Sequence, residues 1–249
     1  MAKVSVIVVA AGRGERFGGK ENKVFAKLAD QPLFLRALQL FCNREDVCQT
    51  LLVVAPEDLA QMKSQYGPNL GFMGVQLIEG GAERRDSVAK GLAAVSNDAE
   101  LVAIHDAVRV CVAEAWIDKV FEAAAETGAA VPVTPVTATL KRVGDDGLVG
   151  ETVSRAGLHM AQTPQVFRTV VIREAYEKLA AQSPGDSSNE ATDDAQVVAA
   201  AGHAVTAVAG DSRNIKITTR GDLALAGAIL KSLPQKPTAR RGAFEEAQW

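Results

Sequence analysis

Apolar and polar positions follow two rhythms along the 249-residue chain. Five short runs are apolar almost throughout: "VSVIVVA" (4–10), "TLLVVA" (50–55), "GVQLIEG" (74–80), "AELVAIHDA" (99–107) and "GAAVPV" (128–133). Between them, segments 32–43, 57–66, 84–95 and 114–127 carry apolar residues at helical spacing. A strand that is apolar on both faces needs cover on both, and helices between successive strands supply it. The pattern predicts an α/β fold, a mostly parallel, doubly wound sheet flanked by helices. Ligands in such sheets sit beyond the carboxyl ends of the strands. The segments that leave those ends are therefore the first places to look for chemistry.

The rhythm breaks near residue 134. "TPVTATLKRVGDDGLVGETVSRAG" alternates apolar and polar residues around a "GDDG" turn, which predicts a β-hairpin. Its Thr, Lys and Arg residues make a poor core, so residues 136–155 are expected to project as an arm. Helical spacing returns at 169–182 and 220–232, around a polar loop "SPGDSSNEATDD". One domain over 1–233 is expected, followed by an aperiodic tail over 234–249.

Composition narrows the function classes. A net charge of −3 gives no general attraction to nucleic acid or to a membrane surface. No apolar run approaches the ~20 residues of a membrane helix. Three cysteines, Cys42, Cys48 and Cys111, form no C-x-x-C pair, and their odd number argues against a disulfide framework. A strand begins within three residues of Met1, so no secretory leader is expected. These features predict a soluble cytoplasmic protein.

The loop after the first strand, "VVAAGRGERFGGKENK" (8–23), is rich in glycine and in basic residues. Glycine lets backbone approach a ligand closely, and basic side chains meet phosphate oxygens. Two familiar phosphate loops nearly fit. "GERFGGK" (14–20) matches the start of a P-loop, but Glu21 stands where a Mg²⁺-binding Ser or Thr is required. Phe17 stands where the dinucleotide fingerprint needs its third glycine. The small residues Ala10, Ala11 and Gly12 still allow a base or ribose to lie against backbone, with Arg16 and Lys23 in reach of a triphosphate.

Two further strand ends carry chemistry. "EGGAERRDSVAKGL" (79–92) places Gly80 and Gly81 ahead of a helix that presents free N–H groups, a plausible nucleobase pocket. "HDAVR" (105–109) closes an inner strand with Asp106 and adds Arg109. A carboxylate of that kind binds Mg²⁺ directly or through water, and a guanidinium grips phosphate bidentately. His105 reads as structural, and His159 and His203 have no paired nucleophile motif. "SRAG" with Arg155, "TPQVF" (163–167), "ATDDA" with Thr192 and "RNIKIT" with Lys216 are each unremarkable alone.

As an ordered set, these stretches resemble the 2-C-methyl-D-erythritol 4-phosphate cytidylyltransferase family of the non-mevalonate isoprenoid pathway. The resemblance runs from about Val4 to Leu230. It takes in the loop A-A-G-x-G-x-R with a lysine seven residues after the arginine, then "GGAERRDSV", "HDAVR", "TPQVF", "TDDA" and "NIKIT". Family patterns often have proline where this chain has Val9, Asn22 and Val110, and aspartate where it has Ala82.

The resemblance implies a Rossmann-like nucleotidyltransferase fold. It implies CTP and methylerythritol phosphate as substrates, Mg²⁺ as cofactor and a homodimer joined through the arm. Arg16 and Lys23 would be catalytic, stabilising the crowded α-phosphate. Ala10, Ala11, Gly12, Gly14, Gly81, Ala82, Ser87 and Asp106 would bind the nucleotide, with Asp106 also the metal contact. Asp106, Arg109, Thr139, Arg155, Thr192 and Lys216 would hold the acceptor. Another polyol phosphate, such as ribitol 5-phosphate, is the alternative acceptor, since it shares the CTP half of the site.

Overall fold

The computed structural model describes residues 2–12, 14, 17–18, 22–181 and 191–234. Three expectations thus fall wholly or largely outside the described residues: the role of Arg16, the polar loop over 183–194 as far as residue 190, and nearly all of the tail over 234–249.

In chain order the elements are β1 (Val4–Ala10), β2 (Lys27–Leu28), β3 (Gln31–Pro32), α1 (Leu33–Gln39), β4 (Val47–Val54), α2 (Pro56–Phe72) and β5 (Val75–Glu79). Then come α3 (Arg84–Ala93), β6 (Leu101–Asp106), α4 (Glu114–Thr127), β7 (Ala129–Pro135), β8 (Leu140–Val143), β9 (Val149–Val153) and β10 (His159–Ala161). The last are β11 (Gln165–Arg168), α5 (Thr169–Ala180), α6 (Asp194–Ala200), β12 (Thr206–Ala209) and α7 (Arg220–Ser232).

The main sheet runs β10-β7-β11-β6-β1-β4-β5, with β12 paired to β7. β1 is parallel to both β4 and β6, and β4 to β5. Alternate residues of β1 serve opposite layers. Val4, Val6 and Val8 pack with Leu33, Phe34, Phe41 and Ile117, while Ile7 packs with Val88, Phe167 and Ile172. That two-sided burial is why "VSVIVVA" shows no polar alternation.

The sheet is mixed at one point that hydrophobic pattern does not reveal. β11 runs antiparallel to both β6 and β7, and so sits inside the sheet. β10 is also antiparallel to β7. Helix α2 continues past Gly67 and Pro68 to Phe72, beyond the expected end at 66, with Leu70 buried in its last turn.

The expected hairpin is present as β8 and β9, a two-stranded sheet separate from the main one. It is inserted between the antiparallel partners β7 and β10. Residues 137–160 are exposed apart from Leu140 and Val153, which are half-buried. Among the described residues no helix is long and apolar enough to cross a membrane.

Candidate active site

Three strand ends and one later loop converge at the carboxyl edge of the sheet. A cavity of about 260 Å³ lies there, walled by Ala10, Ala11, Gly12 and Lys23, by Ala82 and Arg84, and by Asp106 and Lys216. A larger hollow of about 500 Å³ opens at the opposite edge, beside Val4 and Leu101. Its Arg44 is already paired with Asp46 and Asp118 at 2.7 Å each, so it offers no comparable set of cations.

The first loop is anchored by the turn at its far end. Lys23 opens this short 3-10 turn, whose Val24 and Phe25 are buried, and so the lysine is fixed at the cavity wall. Asn22 accepts a hydrogen bond from the Val24 amide and donates its own amide to Asp58 at 2.7 Å. This bonding stiffens the turn from which Lys23 starts. Gly14 has φ +67°, and a Cβ there would lie 3.0 Å from Lys23 Cγ. The left-handed conformation favours glycine, and a side chain there would crowd the lysine stem.

The second loop packs directly against the first. A Cβ on Gly80 would stand 2.9 Å from the Ala11 Cβ, and one on Gly81 would stand 2.3 Å from the Asp86 Cβ. Ser87 is fully buried; its hydroxyl accepts from the Gly81 amide and donates to the Glu83 carbonyl, both at 3.0 Å. Gly81 and Ser87 therefore shape the loop from behind, while Ala82 reaches the cavity. Lys90 braces the same loop by donating to the Gly80 carbonyl at 2.6 Å. Glu83 and Asp86 close a reciprocal cap on α3.

Asp106 ends β6 and is almost buried. Its Oδ2 lies 3.0 Å from Lys216 Nζ and 3.4 Å from Arg109 Nε; its Oδ1 lies 3.6 Å from Arg84 Nε. Burial would push this carboxyl up, but Lys216, Arg84 and Arg109 together hold it well below the usual carboxylate range. Arg109 is fixed in turn by donating to the Asn214 carbonyl at 2.7 Å, and Ile217 bonds Val108 through backbone. Those contacts carry Lys216 to the cavity.

His105 is fully buried and supports this edge. Its Nε2 is 2.9 Å from the Arg109 carbonyl, so that nitrogen carries the proton. Its Nδ1 then accepts from the Thr163 hydroxyl at 3.1 Å, and Thr163 Oγ accepts from the Asp106 amide at 3.1 Å. Burial lowers the imidazole pKa to about 4, so the ring is neutral near pH 7.

The expected residues divide into those gathered and those left apart. Ala10, Ala11, Gly12, Lys23, Ala82, Asp106 and Lys216 share the cavity, with Arg109 beside it. Thr139 and Arg155 are exposed on the arm, where Arg155 donates to the Thr137 carbonyl. Thr192 is exposed just before α6 and bonds Gln196. Arg84 was not among the expected site residues, although it lies within "GGAERRDSV"; an Arg in the first turn of a surface helix has no distinguishing sequence signal.

The donor set does not make a resident metal site. Among the described residues no three His, Cys, Asp or Glu side chains converge, and Asp106 is a single carboxylate already flanked by three cations.

A doubly covered α/β sheet with a glycine-rich first loop and a cation-lined cavity at its carboxyl edge has the layout of a nucleotide-binding α/β protein. Comparison with known proteins narrows this class. The model of the family described as 2-C-methyl-D-erythritol 4-phosphate cytidylyltransferase matches residues 4–232, and the chain belongs to that family. The 2-C-methyl-D-erythritol 4-phosphate cytidylyltransferase of Rhodopirellula baltica is 42% identical over 240 residues, covering 92% of this chain and 95% of the relative. That of Alkaliphilus oremlandii is 40% identical over 233 residues, covering 93% and 97%. The crystal structure of the Thermus thermophilus enzyme of the same name is 33% identical, with a TM-score of 0.73 over 93% of this chain and 100% of that one.

Proposed function

We propose that this protein transfers the cytidylyl group of CTP to 2-C-methyl-D-erythritol 4-phosphate, giving the CDP-alcohol and pyrophosphate, in isoprenoid precursor synthesis. An oxygen of the acceptor phosphate attacks the α-phosphorus. The bond from that phosphorus to the α–β bridging oxygen breaks, and pyrophosphate leaves with the electron pair. The acceptor phosphate is already ionised near neutral pH, so no general base is needed.

The obstacle is repulsion between two anions, and the remedy is position and positive charge. Family membership and the cation-lined cavity support the reading; the observation that carries it is Asp106 held among Lys216, Arg109 and Arg84, in the wall of the same cavity as Lys23. Lys23, with Arg16, neutralises the α-phosphate. Arg109 and Lys216 meet the acceptor phosphate, and the Ala82 backbone faces the base.

Magnesium fits best as part of the substrate, arriving on the triphosphate, with Asp106 supplying one oxygen at most. Asp106→Asn should then raise the Mg²⁺ concentration needed for half-maximal rate, because an amide is a poorer ligand for a hard cation. An unchanged Mg²⁺ titration would remove Asp106 from the metal's contacts.

A homodimer joined through the arm completes the proposal. Val143, Leu148 and Val149 of the arm, with Leu158 and Met160 beside it, are large apolar side chains exposed in the single chain. A second copy would cover them and receive Thr139 and Arg155. Cys42, Cys48 and Cys111 are all free thiols, which suits the cytoplasm.

The test is direct. Pyrophosphate release is followed with CTP and equal concentrations of methylerythritol phosphate or ribitol 5-phosphate. Preference for ribitol 5-phosphate, or release with neither acceptor, would overturn the assignment.

A further inference from the structure

A row of groups with alternating charge runs from the interior of the protein into the cavity. The Tyr176 hydroxyl on α5 donates to Asp194 Oδ1 at 2.7 Å. Arg84 Nη2 donates to Asp194 Oδ2, also at 2.7 Å, while its Nε faces Asp106 Oδ1 at 3.6 Å. Lys216 then pairs with the other oxygen of Asp106 at 3.0 Å. Asp194 has no exposed surface and Tyr176 is buried, whereas Arg84 and Lys216 line the cavity.

Arg84 is thus divided between two carboxylates. Asp194 cannot follow it, because the start of α6 is fixed to β11: Gln165 donates to Asp193 and accepts from the Ala195 amide, both at 2.8 Å. Burial, then the neighbouring Asp194, hold the Tyr176 phenol above its ordinary pKa, so it remains a donor. By donating, it disperses the negative charge of Asp194 and weakens the pull of Asp194 on Arg84.

We propose that Tyr176 and Asp194 are positioning residues that set how Arg84 is shared between Asp194 and Asp106, and so how tightly Asp106 retains Lys216 against an incoming acceptor phosphate. This rests on the functional reading above, in which Lys216 meets that phosphate. Two substitutions should act in opposite directions. Without the Tyr176 hydroxyl, Asp194 draws Arg84 away; Asp106 then holds Lys216 harder, and the acceptor KM rises. Without the charge of Asp194, Arg84 turns to Asp106, Lys216 is released, and the acceptor KM falls.

Initial rates of the parent, Tyr176→Phe and Asp194→Asn proteins, with each substrate varied at saturating levels of the other, test this. Thermal unfolding of each protein is measured alongside. Tyr176→Phe should raise the acceptor KM about fivefold and leave the CTP KM within about twofold, the scale of one lost hydrogen bond to a charge felt at one remove. Asp194→Asn should lower the acceptor KM. General loosening of the fold would move both variants the same way, and that result overturns the proposal. So does an unchanged acceptor KM in Tyr176→Phe, which decides the matter alone if Asp194→Asn does not fold. A parent protein inert with both substrates would instead overturn the functional reading, and this inference with it.

Discussion

Lys216 Nζ and Asp106 Oδ2 lie 3.0 Å apart at the cavity wall, joining residues 110 positions apart in sequence. Arg109 and Arg84 face the same carboxylate, so one anion is surrounded by three cations. On the proposed function, Asp106 holds the electrostatic place of a substrate phosphate and keeps the cations together until one arrives.

Asp106→Asn should therefore cost stability that an added anion restores. Breaking a buried pair costs about 3–5 kcal/mol; about 2 kcal/mol is expected here because Lys216 and Arg84 are partly exposed. The carboxyl is held below its unfolded pKa, so its contribution is fully present at neutral pH and fades only in acid. Pyrophosphate should raise the melting temperature of the variant more than that of the parent. Equal shifts in the two proteins would mean that the cations are not waiting for an anion.

His105 gives a pH signature of the fold. Its pKa falls from about 6.5 in the unfolded chain to about 4 when buried. Between those values the unfolded chain binds the extra proton, so stability is complete above about pH 6.5 and is lost as pH falls towards 4. The loss should reach about 3 kcal/mol over that window. Urea midpoints between pH 4.5 and pH 7 should be steeper with pH in the parent than in His105→Gln; parallel slopes would show that another group titrates.

Local pattern made part of this molecule legible and left the rest hidden for physical reasons. β1, α4 and α7 match their expected bounds because their periodicity and caps lie within the segments themselves: Gly128 with φ 96° ends α4, and Thr219 with Asp222 caps α7. β11 is four residues long, and its place in the sheet is fixed by pairing with β6 and β7, which local pattern does not carry. The seven-residue α6 starts at the last residue of the expected polar loop and was not expected as a helix, since Asp194 reads as a surface residue until Arg84 and Tyr176 are found beside it. Lys23 and Asp106 were legible because loops at strand ends attract attention in any parallel sheet. Lys216 was not; it entered only through the ordered resemblance.

Lys23→Ala should lower turnover by roughly 10²–10³-fold, the scale of one transition-state charge contact. The motive is the lysine's fixed place at the cavity wall, at the start of a turn anchored by Val24 and Phe25. CTP affinity should fall less than turnover. A loss of CTP affinity with saturated turnover intact would make Lys23 a ground-state contact only.

Arg155 poses the remaining question, because it is exposed on the arm and bonds only the nearby Thr137 carbonyl among its described hydrogen bonds. If two chains clasp through their arms, Arg155 serves the partner's cavity, opposite that partner's own loop lysine. Lys23→Ala and Arg155→Ala proteins should then each be nearly inactive yet complement one another when subunits exchange. A mixed dimer carries both defects at one site and neither at the other. With random exchange half of the dimers are mixed, so about a quarter of all sites become intact. Activity should climb towards that fraction as exchange proceeds, with exchange followed independently by native mass spectrometry. Proven exchange without recovery would place Arg155 at its own chain's site or away from substrate altogether, and the arm would then be an assembly device alone.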